Sequence, residues 1–222
     1  MVNGGSMKPY YEEKGITIYN CDCREVLPDL PPVDLICTDP PYNCKKDYGT
    51  YQDNLSTEEY QSFMADVVSL SRKVATNQFW VAPRYQMLFF LTLFPDSHLI
   101  VIRRGARGPL RGGGWTDQFE TALAVGKPSK PDLDLWEGIR LKGEGYYFRE
   151  KTYGHPGYTP LPIMRKAIGL LSIGSICDPF CGTGTSLFAA KNIGRRAVGC
   201  EISEAYCEIS AKRLSQEVFD FG

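Results

Sequence analysis

The 222-residue chain has little long apolar sequence. Its longest such run, Met87–Phe94, spans eight residues and is broken by Thr92, well short of the roughly 20 residues a membrane-spanning helix needs. The leading MVNGGSM has neither a charged n-region nor an apolar h-region, which argues against a signal peptide. Residues 1–6 read as a leader outside the fold, and 7–222 as one domain. An excess of basic charge is also missing: 25 Lys and Arg against 26 Asp and Glu leave a net charge of -1. Nucleic-acid binding would therefore rest on a local patch. There are only two histidines, His98 and His155, and no two of the eight cysteines are spaced CxxC. A zinc site therefore has no support, and no metal is expected. Several cysteines lie in apolar strand-like runs such as LICTDP and AVGCEI. They read as buried, reduced thiols, and reduced thiols point to the cytoplasm.

What is present is an alternation of short apolar runs and helical patterns. Strands are expected at Ile16–Cys21, Val33–Thr38, Gln78–Ala82, His98–Arg103, Thr121–Val125, Ser175–Cys177 and Arg196–Cys200. Helices are expected at Arg24–Leu30, from an N-cap at Ser56 to Arg72, at Tyr85–Phe94, Pro162–Leu171, Ser186–Asn192 and Glu204–Gln216. Ser56 with Glu59 three positions on has the form of a capping box. Gly126–Gly154 is polar, rich in Gly and Pro, and irregular. Strands alternating with helices predict a doubly wound α/β fold with a mostly parallel sheet.

Two turns carry chemistry. ICDPFCGTGT at 176–185 runs from a strand through a glycine-rich loop into a helix, and Glu201 closes the next strand. Gly182 and Gly184 permit close backbone approach to a ligand, and a terminal acid can accept from both ribose hydroxyls. The last glycine of a full GxGxxG is replaced by Leu187, and no P-loop lysine is present. The ligand is thus adenosine-like without a pyrophosphate, which S-adenosylmethionine satisfies. The second turn, Asp39-Pro40-Pro41-Tyr42, follows directly on a strand. Its prolines fix φ and remove two N–H groups. An acid beside an outward carbonyl suits an NH2 group with two protons to give, and Tyr42 offers a flat face.

With these residues in view, the sequence resembles the DNA amino-methyltransferases that modify adenine N6 or cytosine N4, over most of residues 8–215. TDPPYN at Thr38–Asn43 is similar to the family's catalytic motif and DPFCGTGT at Asp178–Thr185 to its cofactor loop. GRRAVGCEISEAYCEISAKRL is similar to the strand and helix that follow, and NCDCREVLPDL to a segment whose acid, here Asp22, meets the cofactor's adenine. HPGYTP at His155–Pro160 resembles the family's HPTQKP segment, without its Gln and Lys. The catalytic motif precedes the cofactor loop, a circularly permuted order that resembles the β group of DNA enzymes. RNA and protein amino-methyltransferases mostly run the other way.

The resemblance implies the methyltransferase type of Rossmann-like fold with S-adenosylmethionine as cofactor. It implies Asp39, Pro40, Pro41 and Tyr42 as catalytic residues. The cofactor would meet Asp22, Asp39, His155, Pro156, Thr159, Pro160, Asp178, Phe180, Cys181, Gly182, Gly184, Thr185, Glu201 and Ile202. Asp22, Asp39, Asp178 and Glu201 would share one crevice, with ligand donors relieving their mutual repulsion. A duplex base would have to flip out to reach Asp39, with Tyr42 stacking on it.

The DNA surface is expected at about 103–154. Arg103–Lys151 holds ten Lys and Arg against seven Asp and Glu, net +3, leaving -4 for the rest. Arg103, Arg104, Arg107, Arg111 and Trp115 are its candidate contacts, aided by Lys45 and Lys46. Family members commonly insert a larger recognition domain before the HP segment. Short or relaxed specificity is therefore expected, or reading of double-stranded DNA as a homodimer or with a partner subunit. Asp39 favours adenine, since Ser is commoner there in cytosine enzymes. The alternatives are N4-cytosine methylation, RNA methylation, a catalytically silent DNA-binding subunit and, least favoured, a nicotinamide oxidoreductase.

Overall fold

The computed structural model describes residues 7–45, 53–103, 119–136 and 160–216. The strands among them are β1 Tyr11–Glu13, β2 Ile16–Asn20, β3 Leu35–Thr38, β4 Asn77–Val81, β5 His98–Arg103, β6 Phe119–Val125, β7 Leu135–Trp136, β8 Ser175–Asp178 and β9 Arg196–Glu201. The helices are α1 Cys23–Val26, α2 Thr57–Val74, α3 Met87–Leu93, α4 Leu161–Leu171, α5 Thr185–Asn192 and α6 Glu204–Ser215. One sheet runs β1-β2-β9-β8-β3-β4-β6-β5-β7. The five strands from β2 to β4 are mutually parallel, while β1 and β6 run against their neighbours.

The fold follows from the strand pattern. β3, LICT, is buried at every position, as expected for a central parallel strand covered on both faces. Successive residues pack on opposite sides. Leu35 and Cys37 join Phe79, Ile176 and the apolar faces of α4 and α5. Ile36 joins Trp80, Cys177 and the helices α2 and α3 on the other side. Helices on both faces of a mostly parallel sheet are the doubly wound arrangement read from the sequence.

The element ends differ where side chains decide them. α2 carries the expected capping box, with Ser56 Oγ accepting from Glu59 N and Glu59 accepting from Ser56 N. It runs to Val74 rather than Arg72, because Val74 is buried. The helix expected at Arg24–Leu30 is four α-helical residues followed by a 3-10 turn, Leu27–Asp29. Pro28, which has no N–H to continue the ladder, accounts for the break. The helix expected from Tyr85 likewise opens as a 3-10 turn, Arg84–Gln86, after Pro83. The Gly126–Gly154 stretch is not wholly irregular. It supplies β7, whose Trp136 is 3% exposed and stacks on Phe79 with ring centroids 5.6 Å apart. Six cysteines are buried, Cys21 is half-buried and Cys44 is exposed.

Candidate active site

Strand order reverses between β8 and β3. From β8 the chain crosses to β9 on one side; from β3 it crosses to β4 on the other. Ligands of open α/β sheets bind beyond the carboxyl ends of the strands at such a point. Asp178 ends β8, Asp39 follows β3, Glu201 ends the adjacent β9, and Asp22 lies two residues beyond β2. The four acids picked out in the sequence thus leave one edge of the sheet.

They are not equivalent. Asp178 is 3% exposed. Its Oδ1 accepts from Thr38 Oγ1 at 2.5 Å and from Phe180 N at 3.0 Å, and Ser186 Oγ donates to its Oδ2. The relief expected from ligand donors is here supplied by the protein itself. Burial still lifts this carboxyl to about 6, against the pull of those donors. Thr38 immediately precedes Asp39, so Asp178 ties the Asp39–Tyr42 turn to the glycine-rich loop.

That loop is built for backbone approach. Gly182 and Gly184 both have positive φ, and a Cβ on Gly184 would stand 2.2 Å from Ser210 Oγ of α6. Only glycine allows this contact between loop and helix. Thr185 opens α5, and its Oγ1 accepts from Arg213 at 3.2 Å. The Cys181 side chain is buried beside Gly199, and its N–H donates to Cys200 O. Phe180 is half-buried and meets Phe63 edge-on at 5.9 Å.

Glu201 is the most ligand-ready of the acids. Its Oε2 accepts from Gly182 N at 3.0 Å and its Oε1 from Ser203 N at 2.7 Å. Each carboxylate oxygen keeps a second lone pair, which suits two vicinal hydroxyls. Burial raises the carboxyl to about 7 despite those two bonds. Asn20 holds the strand end in place through Nδ2, donating to Glu201 O and Ile202 O at 2.9 and 3.0 Å. Asn20 was not anticipated. Ile202 itself is exposed.

Asp22 caps α1 through Arg24 N and is paired with the Arg24 guanidinium at 2.6 Å. Partial burial pushes its carboxyl up, but the Arg24 hydrogen bonds and charge outweigh that and hold it below the usual range. The same guanidinium lies 5.0 Å over the Phe63 ring. Arg24, Phe63 and Phe180 therefore form a continuous wall from Asp22 to the glycine-rich loop.

On the other side of the switch point, the Tyr42 hydroxyl donates to Asp39 Oδ1. Pro41 O accepts from the buried Tyr60 hydroxyl at 3.0 Å. The chain then turns through positive φ at Asn43 and Lys45. Asp53, 1% exposed, fixes this turn, with its carboxylate accepting from Asn43 N at 2.7 Å and Cys44 N at 2.8 Å. No local spacing marks Asp53; only its acid character within a polar loop could have drawn attention.

Of the remaining expected residues, Pro160 caps the start of α4, Arg103 ends β5, and Lys45 is exposed with its N–H on Asp53 O. Lys46, Arg104, Arg107, Arg111, Trp115, His155, Pro156 and Thr159 lie outside the described residues. Among the described residues no cluster of His, Cys, Asp and Glu could hold a metal. No described helix is long and apolar enough to cross a membrane.

The sheet order brings the glycine-rich loop with its terminal acid and the Asp-Pro-Pro-Tyr turn to one switch point of a doubly wound α/β fold. The sequence profile of the DNA methylase family matches residues 33–105 and 111–212, and the chain belongs to that family. Among curated relatives, it is 26% identical to the type II methyltransferase M.ScaI of Streptomyces caespitosus, covering 95% of this chain and 84% of the relative. It is also 26% identical to M2.DpnII of Streptococcus pneumoniae, covering 95% and 93%. Among solved structures, the cytosine-N4-specific PvuII DNA methyltransferase aligns with a TM-score of 0.73 at 17% identity, covering 97% of this chain and 92% of that one. The M1.HpyAVI–SAM complex aligns with a TM-score of 0.65 at 21% identity, covering 90% and 100%. These structural likenesses bear on the fold.

Proposed function

We propose that this protein is an S-adenosylmethionine-dependent DNA methyltransferase acting on the exocyclic amine of a flipped base, adenine N6 in preference to cytosine N4. The observation that carries the reading is the Thr38–Asp178 hydrogen bond across the switch point. It supports the reading by tying the Asp39–Tyr42 turn to the glycine-rich loop, so that an acceptor at the one would meet a nucleoside at the other. The permuted motif order of the β group and a cytoplasmic setting belong to the same reading.

The residues present fit the cofactor. Glu201 offers two acceptor lone pairs for ribose hydroxyls beside Gly182 and Ser203, and Asp22 and Phe180 are the groups that would flank an adenine. Bound there, S-adenosylmethionine supplies an electrophilic methyl group and leaves as a thioether. Asp39 and the Pro40 carbonyl accept the two N–H groups of the target amine. This draws its lone pair out of conjugation with the ring and holds the nitrogen for in-line attack. Asp39 would take the proton that the amine gives up as it is methylated. The Tyr42 hydroxyl donates to Asp39 Oδ1, so the amine would take the remaining acceptor capacity of that carboxylate.

Asp at position 39 supports adenine; a structural neighbour named as cytosine-N4-specific keeps cytosine as the second reading. Contact with double-stranded DNA through the basic stretch from Arg103, aided by a second copy or a partner, belongs to this proposal as well. Nucleoside mass spectrometry of methyl-free DNA and RNA after incubation with S-adenosylmethionine tests it. N6-methyladenine in DNA is the expected product, and N4-methylcytosine would transfer the mechanism to the other base. Methylation of RNA alone, or of neither polymer by protein that binds the cofactor, would overturn the assignment.

A further inference from the structure

The loop after β4 brings an aromatic side chain to the acceptor turn that neither motif includes. β3 and β4 are parallel, with Thr38 paired to Trp80. Asp39–Tyr42 and Ala82–Tyr85 therefore leave the same edge of the sheet on neighbouring strands. The second loop is anchored at its root. Ala82 N donates to Thr121 O at 2.9 Å, and Thr121 Oγ1 donates back to Ala82 O at 2.5 Å. Gln86 N then donates to Pro83 O at 3.0 Å, closing the 3-10 turn that carries Arg84 and Tyr85. The Arg84 guanidinium lies 5.8 Å over the ring of Phe119, the first residue of β6.

Tyr85 is 63% exposed. Partial burial, the Cys44 thiol and the charges of Asp53 and Asp39 raise its hydroxyl above the usual phenol range, which agrees with the sheet register in setting it near the Asp39–Tyr42 turn. An aromatic side chain beside that turn with most of its surface bare suits a flat apolar partner. A nucleobase is such a partner, and base–aromatic stacking is sequence-tolerant because every base has a π face.

We infer that Tyr85 is a base-contacting residue of the acceptor site, lining it together with Tyr42. This rests on the DNA amino-methyltransferase reading above. Its role is binding and orientation of the extruded base, separate from cofactor capture at Glu201.

The test compares Tyr85→Ala, Tyr85→Leu and Tyr85→Phe with the wild type on methyl-free phage DNA, after thermal melting has shown which variants fold. Ala or Leu should raise KM for DNA or lower kcat by about tenfold, as expected for one lost base–aromatic contact. S-adenosylmethionine affinity by calorimetry should stay within about twofold, because the cofactor is held elsewhere. Phe keeps the ring and should recover most of the loss. Unchanged kinetics in the Ala and Leu variants would overturn the inference. So would a Phe variant as impaired as Ala, which would make the hydroxyl rather than the ring the point, or a parallel loss of cofactor affinity. A wild type that methylates no DNA base defeats the functional reading instead. Tyr85 is then judged by affinity for a single-stranded oligodeoxynucleotide with S-adenosylhomocysteine present. Weakening by about fivefold or more in the Ala variant supports base contact, and equal affinity overturns it.

Discussion

Thr38 and Asp178, 140 positions apart in the chain, share a 2.5 Å hydrogen bond where β3 and β8 end side by side. The bond joins the residue before Asp39, the proposed catalytic acid, to the residue that begins the glycine-rich loop. It is buried, so losing it leaves a desolvated carboxylate short of a donor. Thr38→Val, which keeps the shape and removes the hydroxyl, should cost ~1.5–3 kcal/mol of stability. Urea unfolding should show a lower midpoint with an unchanged slope. Because Asp39 is the next residue, the methyl-transfer rate should fall more than cofactor affinity does.

The two sides of the switch point should separate under mutation. Asp39→Ala removes the proposed acceptor of the target amine and leaves Gly182, Gly184 and Glu201 in place. It should abolish transfer and leave S-adenosylmethionine affinity within about tenfold, the pattern of an interaction made at the reacting group. Glu201→Ala should do the reverse. It removes an acid that accepts from Gly182 N and Ser203 N, and should weaken the cofactor by ~1–3 kcal/mol. Calorimetry and single-turnover kinetics on the two variants check both halves. An Asp39→Ala protein that no longer binds the cofactor would make the turn structural rather than catalytic.

Most of the site was legible in the sequence because its parts are local. Asp39 to Tyr42, Gly182, Gly184 and Glu201 sit at the ends of short apolar runs, and a strand-end position can be read from such a run. The capping box at Ser56 and Glu59 is equally local. What was not legible depends on partners far along the chain. Asn20 acts on Glu201 and Ile202 from 181 and 182 positions away. Trp136 lies in a Gly- and Pro-rich stretch with no periodicity, yet stacks in the core on Phe79. Periodicity reports which face an element buries, not which distant group will meet it. For the same reason β6 gave no sign that it would enter the sheet antiparallel between β4 and β5.

Asp53 extends that point to function. Its carboxylate accepts from two consecutive N–H groups just past the Asp39–Tyr42 turn, and Lys45 N donates to its backbone carbonyl. Asn43 and Lys45 both sit at positive φ there, a conformation that needs support from its surroundings. Asp53→Ala should release the turn and lower kcat by about tenfold or more, since small displacements of positioned groups are costly. Cofactor affinity should change little. Asp53→Asn keeps one acceptor oxygen and should lie between Ala and wild type, a grading that measured kcat values on the three proteins would show.

The two buried acids make stability and cofactor binding respond to pH in opposite senses. Burial raises Glu201 from 4.5 to about 7 and Asp178 from 3.8 to about 6. A group whose folded value lies above its unfolded one binds its proton more tightly in the folded state. Its contribution to stability is full below the unfolded value and is lost as pH rises through the folded one. The ligand-free protein should therefore lose stability from these groups between about pH 4 and 7. Cofactor capture runs the other way, because a protonated Glu201 has lost acceptor capacity toward ribose hydroxyls. Affinity for S-adenosylmethionine should rise as pH climbs through about 7, and Glu201→Gln should flatten that rise. Calorimetry across this range on wild type and variant is the check. A slope that persists in Glu201→Gln would assign the titration to another group, Asp178 being the first to test.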